Sequence, residues 1–379
     1  GHGMWMGTFH GLAHRLLKAH WREAGLPQNF QILDSDDQLR VIKRICREQQ
    51  LDESRWPPRQ AQWYINGQKD EGLRARHIEA PEGDLFLTTM LAIYHAYEDA
   101  CERAGMVDFA ELLLRAHELW LNAPDVLAHY RGRIRQILVD EFQDTNTIQS
   151  AWLRVLAGET IPVVAVGDDD QSIYGWRGAR IENIQRFSED FAPVQTVRLE
   201  QNYRSTETIL RAANSVIANN FGRLGKELWT AGDTGEPITL YAGFNEQDEA
   251  RFIVEQIERW LETGQLRESV AVLYRSNAQS RVLEEALLRE NVPYRIYGGQ
   301  RFYERMEIRN ALAYLRMLLN RGDDAAIERV INTPPRGIGG KTLEVVRECA
   351  RERGLSLWQS IAVAREEKLL PARAQTALE

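Results

Sequence analysis

Cysteine is scarce in this chain: Cys46, Cys101 and Cys349 are the three in 379 residues, and they lie far apart. That spacing supports neither a disulfide framework nor a thiolate zinc site, and it fits a reducing compartment. No apolar run reaches the roughly 18 residues needed to cross a bilayer, so a membrane partner is not expected. No basic-then-apolar leader is present, and neither are short repeats or low-complexity tracts. An excess of positive charge is missing too: Lys and Arg total 47 against 55 Asp and Glu, for a net charge of −8. Net charge alone therefore gives no pointer to nucleic acid, although a long chain can be acidic overall and basic along one groove. A phosphate loop of the form Gly-x₄-Gly-Lys-[Ser/Thr] is also absent. Gly225-Lys226 is followed by Glu227 and has Asn220 in place of the first glycine; Gly340-Lys341-Thr342 has Pro335 there.

What is present is concentrated in two runs. Ile137-Leu138-Val139-Asp140-Glu141-Phe142-Gln143-Asp144-Thr145 and Val163-Val164-Ala165-Val166-Gly167-Asp168-Asp169-Asp170-Gln171 each begin as a short uncharged, β-branched segment. This is the pattern of a strand buried on both faces of a parallel sheet. Each ends in acidic residues where the strand emerges, and in open α/β sheets ligands bind beyond the carboxyl ends of the strands. Carboxylates and a Gln on two neighbouring strand ends describe a Mg²⁺–nucleotide site. Asp140 suits a hydrated Mg²⁺, which takes oxygen ligands and keeps several waters. Glu141 is placed to orient and deprotonate an attacking water, and Gln171 to sense a γ-phosphate. A strand simply entering a polar loop is the plainer reading of either run by itself.

Ser172-Ile173-Tyr174-Gly175-Trp176-Arg177-Gly178-Ala179 follows directly. Two aromatics and an Arg between glycines suit a base-stacking platform beside a phosphate contact, because any base offers a face to an aromatic ring. Tyr174 and Trp176 as ordinary core aromatics remain the alternative.

These runs, with Leu199-Glu200-Gln201-Asn202-Tyr203-Arg204-Ser205-Thr206, resemble successive motifs of the superfamily-1 DNA helicases of the UvrD/Rep/PcrA group. Trp56-Pro57-Pro58-Arg59-Gln60, Trp63-Tyr64-Ile65-Asn66 and Lys69-Asp70-Glu71-Gly72 extend the likeness, which runs from Trp5 to about Trp358 and is closest to the UvrD type. The resemblance implies ATP-driven, Mg²⁺-dependent 3′ to 5′ movement on single-stranded DNA, with duplex unwinding in repair or replication. It also implies action at single/double-strand junctions, repair-protein partners and a bacterial cytoplasmic location. By resemblance Tyr203 stacks on adenine and Arg204 is an arginine finger on the γ-phosphate; a surface Tyr-Arg pair in a turn is the alternative. Thr8, His10, Arg275 and Asn277 resemble contacts to the single strand, against a reading as ordinary polar loop residues. Arg177 joins the platform. Gly337-Ile338-Gly339-Gly340-Lys341 is a turn opening a helix, where backbone N–H groups of Gly337 and Gly339 and the Lys341 ammonium suit a phosphate; a plain helix entry is the alternative.

The expected fold is α/β: RecA-like parallel-sheet motor domains, incomplete, with large α-helical insertions. Residues 1–10 are read as the end of the N-terminal part of the first motor domain, 11–134 as its helical insertion, and 135–200 as its second half. A strand at Val197–Glu200 precedes Tyr203 and Arg204; residues 201–297 are read as the first half of the second motor domain, with strands at Ile238–Tyr241 and Val270–Tyr274 and a helix from Glu246 to Thr263. Residues 298–379 are read as the start of a second helical insertion, after a boundary at Tyr297-Gly298-Gly299. The family's phosphate loop lies upstream of the motif that begins at Gly7-Thr8-Phe9-His10, and its late motifs lie further on, so the chain reads as an internal piece of a longer helicase. Gly1-His2 reads as left from cloning. The competing expectation is a non-catalytic DNA-binding or protein-interaction fragment. A phosphate-loop kinase or small GTPase is excluded, because that loop is missing and the aromatic run and helical insertions have no role there.

Overall fold

The computed structural model describes residues 4–297 and 306–378. Gly298-Gly299 and Gly1-His2, read above as a boundary and a cloning remnant, lie outside the described residues. The chain forms two compact units that do not follow chain order. The first holds the described residues of Gly1–Leu199, Ile217–Glu227 and Arg316–Glu379; the second holds those of Glu200–Val216 and Leu228–Leu315.

The first unit begins with α1 (Phe9–Ala19), β1 (Gln31–Ile32), α2 (Ser35–Glu48), α3 (Pro58–Asp70), α4 (Leu85–Ala104), β2 (Met106–Val107), α5 (Phe109–Asn122) and α6 (Pro124–Arg133). The starts are written locally. Thr8, Asp34, Asp84 and Asp108 each accept a first-turn N–H at the heads of α1, α2, α4 and α5, which satisfies donors that have no partner inside the helix. Pro58 and Pro124 open α3 and α6, where a missing N–H costs nothing. α4 stops at Gly105, whose φ of +62° is left-handed, and a Cβ there would meet the Pro27 ring at 2.6 Å.

Two apolar cores result. One packs Leu16, Leu17, Leu113 and Trp120 with Phe142 and Trp152; the other packs Ile42, Ile65, Met90, Ile93 and Tyr94. Each such side chain taken fully from water contributes roughly 1.5–3 kcal/mol. Beside them runs a buried ion network. Lys69, 2% exposed, reaches Asp108 at 2.7 Å and Glu111 at 3.0 Å. Arg74 reaches Glu98, Glu111 and Glu118, and the Tyr97 hydroxyl donates to Asp108 at 2.7 Å.

β3 (Ile137–Val139), α7 (Thr147–Ala157), β4 (Val163–Ala165), α8 (Ile181–Gln185) and α9 (Phe187–Asp190) follow. β3 and β4 pair in parallel, with Ile137 opposite Val163 and Val139 opposite Ala165. Burial on both faces, expected above, is corrected here. Alternation puts Leu138 on the face opposite Ile137 and Val139, and among the described residues that face lacks cover: Leu138 is 73% exposed, while Val139 is buried.

The second unit contains most of α10 (Glu207–Ile217), α11 (Glu246–Glu262) and α12 (Asn277–Arg289). Val254 and Ile257 of α11 pack with Leu287 and Val292. The strands expected at Ile238–Tyr241 and Val270–Tyr274 do not form ladders among the described residues, and Val197–Glu200 does not either. A strand needs a neighbour for its N–H and C=O groups and cover for its faces. Leu240 and Leu273, 94% and 95% exposed, have no such cover. Pairing here reduces to one isolated bridge between Gln201 and Trp229.

α13 (Met306–Leu319), α14 (Asp324–Val330), α15 (Gly340–Arg353), α16 (Leu357–Glu366) and α17 (Ala372–Ala377) complete the chain, with Ile327, Val346, Leu357, Ala364 and Leu370 sharing a core. The molecule is helix-rich with small parallel sheets, an α/β arrangement. No helix among the described residues is long and apolar enough to cross a membrane.

Candidate nucleotide and nucleic-acid site

The carboxyl ends of β3 and β4 carry Asp140, Glu141 and the Asp168–Gln171 turn. The strand hydrogen bonds continue past the pairing, since Val166 N–H donates to Val139 and Phe142 N–H to Val166, at 2.8 and 2.9 Å. The two acidic ends are thereby held side by side. Glu141 takes a left-handed conformation, φ +51° and ψ +47°. That is an unfavourable backbone for a residue with a Cβ, of the kind that clusters at functional sites. It turns the chain sharply off β3 and leaves both Asp140 and Glu141 exposed at the edge.

Gln143 is the hub of this edge, and it was not among the candidates read from the sequence. It is buried, its Nε2 donates to Glu141 Oε2 at 2.6 Å, and its Oε1 accepts the Asp168 N–H at 3.0 Å. Asp140 Oδ1 accepts the Glu141 N–H at 3.1 Å. Its second oxygen takes no hydrogen bond among the described residues, which fits a ligand for a hydrated divalent cation. Asp144, behind the turn, has its carboxyl pushed up by burial and by the nearby Glu141 charge, and its Oδ1 is buried without a hydrogen-bond partner.

Gln171 Nε2 donates to Asp168 Oδ2 at 2.6 Å. Asp168, Asp169 and Asp170 bring oxygens within 4.8 Å of one another, but each is already engaged. Lys226 pairs with Asp168, the Leu224 N–H donates to Asp169 at 2.6 Å, and Arg223 holds Asp170 at 2.7 and 2.5 Å. Burial pushes the Asp168 carboxyl up, but Lys226 and Gln171 outweigh it and hold it below its ordinary value. The triplet is an engaged scaffold behind Gln171, with two cations set against its three carboxylates.

The aromatic run lies outside the core. Trp176 is 69% exposed and Tyr174 36%, so the core-aromatic alternative does not describe them. The Arg177 guanidinium sits over both rings, 5.0 Å from the Tyr174 centroid and 4.6 Å from that of Trp176, which stiffens the loop through cation–π attraction. Tyr174 and Arg177 open onto a cleft of about 520 Å³ that also receives His10, Asn66, Asp70 and Phe109. The His10 ring meets Phe109 edge-on at 6.0 Å, and burial lowers its pKa. His10, Tyr174 and Arg177, far apart in sequence, thus share one wall system. Phe109, Asn66 and Asp70 were missed by sequence reasoning, although the Lys69-Asp70-Glu71-Gly72 run was a visible signal.

The remaining candidates are dispersed. Thr8 caps α1, its Oγ1 accepting the Gly11 N–H at 3.2 Å. Tyr203, 86% exposed, donates its hydroxyl to Gln201 at 2.8 Å, and Asn202 accepts the Arg204 N–H at 2.9 Å. Arg275 and Asn277 lie at the head of α12 beside its cap Ser276. Gly337, with φ +75°, and Gly339 precede α15, Ile338 between them is buried, and Lys341 is exposed in the first turn.

Residues 1–192 match the UvrD/REP helicase N-terminal domain. The chain belongs to the UvrD/REP helicase family. Residues 197–369 match the UvrD-like helicase C-terminal domain, so the family assignment covers both units. DNA helicase II of Escherichia coli K12 is 64% identical over 377 residues, covering 100% of this chain and 52% of that protein. DNA helicase II of Haemophilus influenzae is 59% identical over 376 residues, 99% of this chain and 51% of that protein. The ATP-dependent DNA helicase PcrA of Staphylococcus aureus Mu50 is 40% identical over 361 residues, 95% and 50%. The chain spans about half the length of the curated relatives it matches.

Proposed function

We propose that this chain carries the water-activating and single-strand-tracking parts of an ATP-dependent 3′ to 5′ DNA helicase of UvrD type, with RecA-like motor folds. The observation that carries this reading is the shared edge of β3 and β4. There Gln143 ties Glu141 to the strand end bearing Gln171, and the Tyr174–Arg177 loop runs on from it. Asp140 would hold Mg²⁺ through water, and Mg²⁺, when bound, neutralises charge on the phosphates. Glu141 orients a water and takes its proton, held in place by the Gln143 amide. Gln171, steadied by Asp168, faces the γ-phosphate. Tyr203 stacks on adenine and Arg204 meets the developing phosphoryl charge. His10, Tyr174, Trp176 and Arg177, with Thr8, Arg275 and Asn277, contact the single strand. Gly337, Gly339 and Lys341 contact backbone phosphate near a single/double-strand junction. DNA-repair proteins of the bacterial cytoplasm are the partners this role implies.

The test is DNA-stimulated ATP hydrolysis by this chain joined to a phosphate loop. Glu141→Gln is expected to keep ATP binding and slow turnover by about 10²–10⁴-fold, the usual cost of a positioned base. Turnover near the unaltered rate removes Glu141 from this role.

A second reading concerns the 379-residue polypeptide by itself, which has no phosphate loop in its sequence. Positioning and charge neutralisation are nearly all of phosphoryl-transfer catalysis, so this polypeptide binds DNA without hydrolysing ATP. DNA-stimulated turnover that disappears in Glu141→Gln overturns it.

A further inference from the structure

The end of α3 meets the aromatic loop at a junction that neither the strand-edge chemistry nor the base platform uses. Glu71, the C-cap of α3, engages both carboxylate oxygens. Oε1 accepts Arg180 Nε at 3.0 Å and is joined by Arg180 Nη2, while Oε2 accepts the Thr147 hydroxyl at 2.9 Å. Next to it Asp70 Oδ1 accepts Asn146 Nδ2 at 2.9 Å, and Gly178 lies so close that a Cβ there would stand 3.2 Å from Asp70 Oδ2. The Arg180 N–H donates to the Thr145 carbonyl at 2.9 Å, and Asn183 Nδ2 donates to the Thr145 and Asn146 carbonyls at 2.9 and 3.1 Å. Three chain segments are pinned together here: the end of α3, the Thr145–Thr147 stretch behind the carboxylate turn, and the Gly178–Asn183 stretch after Trp176.

The loop needs such an anchor. Ile173 and Trp176 are each 69% exposed, so little apolar burial holds it. Its own hydrogen bonds are short-range, Arg177 and Ala179 N–H to the Tyr174 carbonyl at 2.8 and 3.2 Å. Segments of this kind open locally at little cost. A carboxylate with both oxygens occupied, one of them by an arginine fork, is a geometrically specific hold.

We propose that Glu71 is a positioning residue that, through Arg180 and Thr147, locks the Tyr174–Arg177 platform to the turn behind Glu141. The helical insertion thereby makes the single-strand platform and the catalytic edge one rigid piece. This rests on the reading of Tyr174–Arg177 as a single-strand contact. Glu71 touches neither DNA nor nucleotide in this role. An exposed ion pair contributes little to global stability, so its effect falls on the order of the loop.

The experiment uses the 379-residue chain with Glu71→Gln and with the exchanged pair Glu71→Arg/Arg180→Glu. Without DNA, hydrogen exchange at the Ala179 and Arg180 amides is expected to quicken about fivefold in Glu71→Gln, with α5 amides unchanged, and to recover in the exchanged pair. Affinity for a fluorescent oligothymidylate is expected to fall about fivefold and recover in parallel. Unchanged loop exchange in Glu71→Gln overturns the proposal, and so does an exchanged pair that recovers neither readout, because Arg180 would then act outside the pair. If Trp176→Ala leaves oligothymidylate affinity intact, the DNA reading of the loop fails, and the exchange measurement still decides whether Glu71 anchors it.

Discussion

Gln143 holds Glu141 with a 2.6 Å hydrogen bond from its side-chain amide, and the same amide accepts the Asp168 N–H from the neighbouring strand end. An amide serves both bonds because it carries a donor and an acceptor on one planar group. Gln143→Leu removes both and leaves the half-buried Asp168 N–H without its protein partner, at a cost of about 1 kcal/mol. The expected result is a lower melting temperature in the 379-residue chain. With the chain joined to a phosphate loop, kcat for ATP should fall with KM nearly unchanged. Full kcat in Gln143→Leu shows that Glu141 needs no such support.

Trp176→Ala separates surface from core. Because Trp176 is 69% exposed, its removal should leave the melting temperature unchanged. Single-strand binding should weaken by about 1–3 kcal/mol, the usual range for a base-stacking aromatic. The loss should not depend on base sequence, since each base has a π-face. Paired measurements of melting and of affinity for homopolymer oligonucleotides check this; a folded variant with unaltered affinity removes Trp176 from the strand-binding surface.

Lys69 is nearly inaccessible between Asp108 and Glu111. Lys69→Met strands buried negative charge, and breaking such a pair typically costs about 3–5 kcal/mol. The network also has an acid signature. Burial alone would push Glu111 up, but Lys69, Arg74 and Arg115 outweigh it and hold its carboxyl well below the ordinary 4.5. A depressed carboxyl stabilises the fold above its unfolded value, and that contribution fades as pH falls below it. Denaturant midpoints measured from pH 7 down to pH 3 should fall more steeply for the unaltered chain than for Lys69→Met.

Asp70 has the opposite sign. Burial first, then Asp108 and Glu71, push its carboxyl up to about 7, against the opposing pull of Lys69. A raised carboxyl favours the fold fully below its ordinary 3.8, and that contribution is lost as pH climbs through about 7. Asp70→Asn, which keeps an oxygen for Asn146, should therefore raise the melting temperature more at pH 8 than at pH 5. An equal shift at both pH values contradicts an ionising Asp70.

Leu138, 73% exposed, and its neighbours Val164 and Val166, 40% and 57%, form an open apolar sheet face. Patches of this kind bind hydrophobic dyes and other surfaces. Leu138→Thr should lower anilinonaphthalene-sulfonate fluorescence of the 379-residue chain while leaving its helical circular dichroism intact. Equal dye binding in both proteins shows that the face is covered in solution.

The carboxylate edge of β3 and β4 was legible because its residue pattern is sequential. Apolar strand, carboxylates and glutamine follow one another, and the parallel register of Ile137 with Val163 places them together. The wall of the cleft was half legible: His10 appeared as a candidate through the family resemblance and Tyr174 through its glycine-flanked aromatic run, Asp70 stood in the Lys69-Asp70-Glu71-Gly72 run without being singled out, and Phe109 carries no local mark that separates it from helix-forming neighbours. The strands read at Ile238–Tyr241 and Val270–Tyr274 show the limit of pattern. Alternating apolar residues state a willingness to pair, but a ladder depends on a neighbour elsewhere in the chain. Gln143 stood in plain view inside a motif, yet its bond to Asp168 depends on tertiary structure.

The acidic turn behind Gln171 carries a consequence for biogenesis. Its counter-charges, Arg223 and Lys226, stand more than fifty residues downstream, beyond α10; the Arg223–Asp170 separation is 53. A nascent chain emerging from the ribosome therefore exposes three adjacent carboxylates that repel one another until Lys226 has been made. Contacts of such high order close slowly, and the unit they complete also needs the helices after Arg316. The helical layers α1 to α6 precede the turn in the chain, so Asp168–Asp170 gain their counter-charges only after those layers have been made and before the helices that follow Arg316.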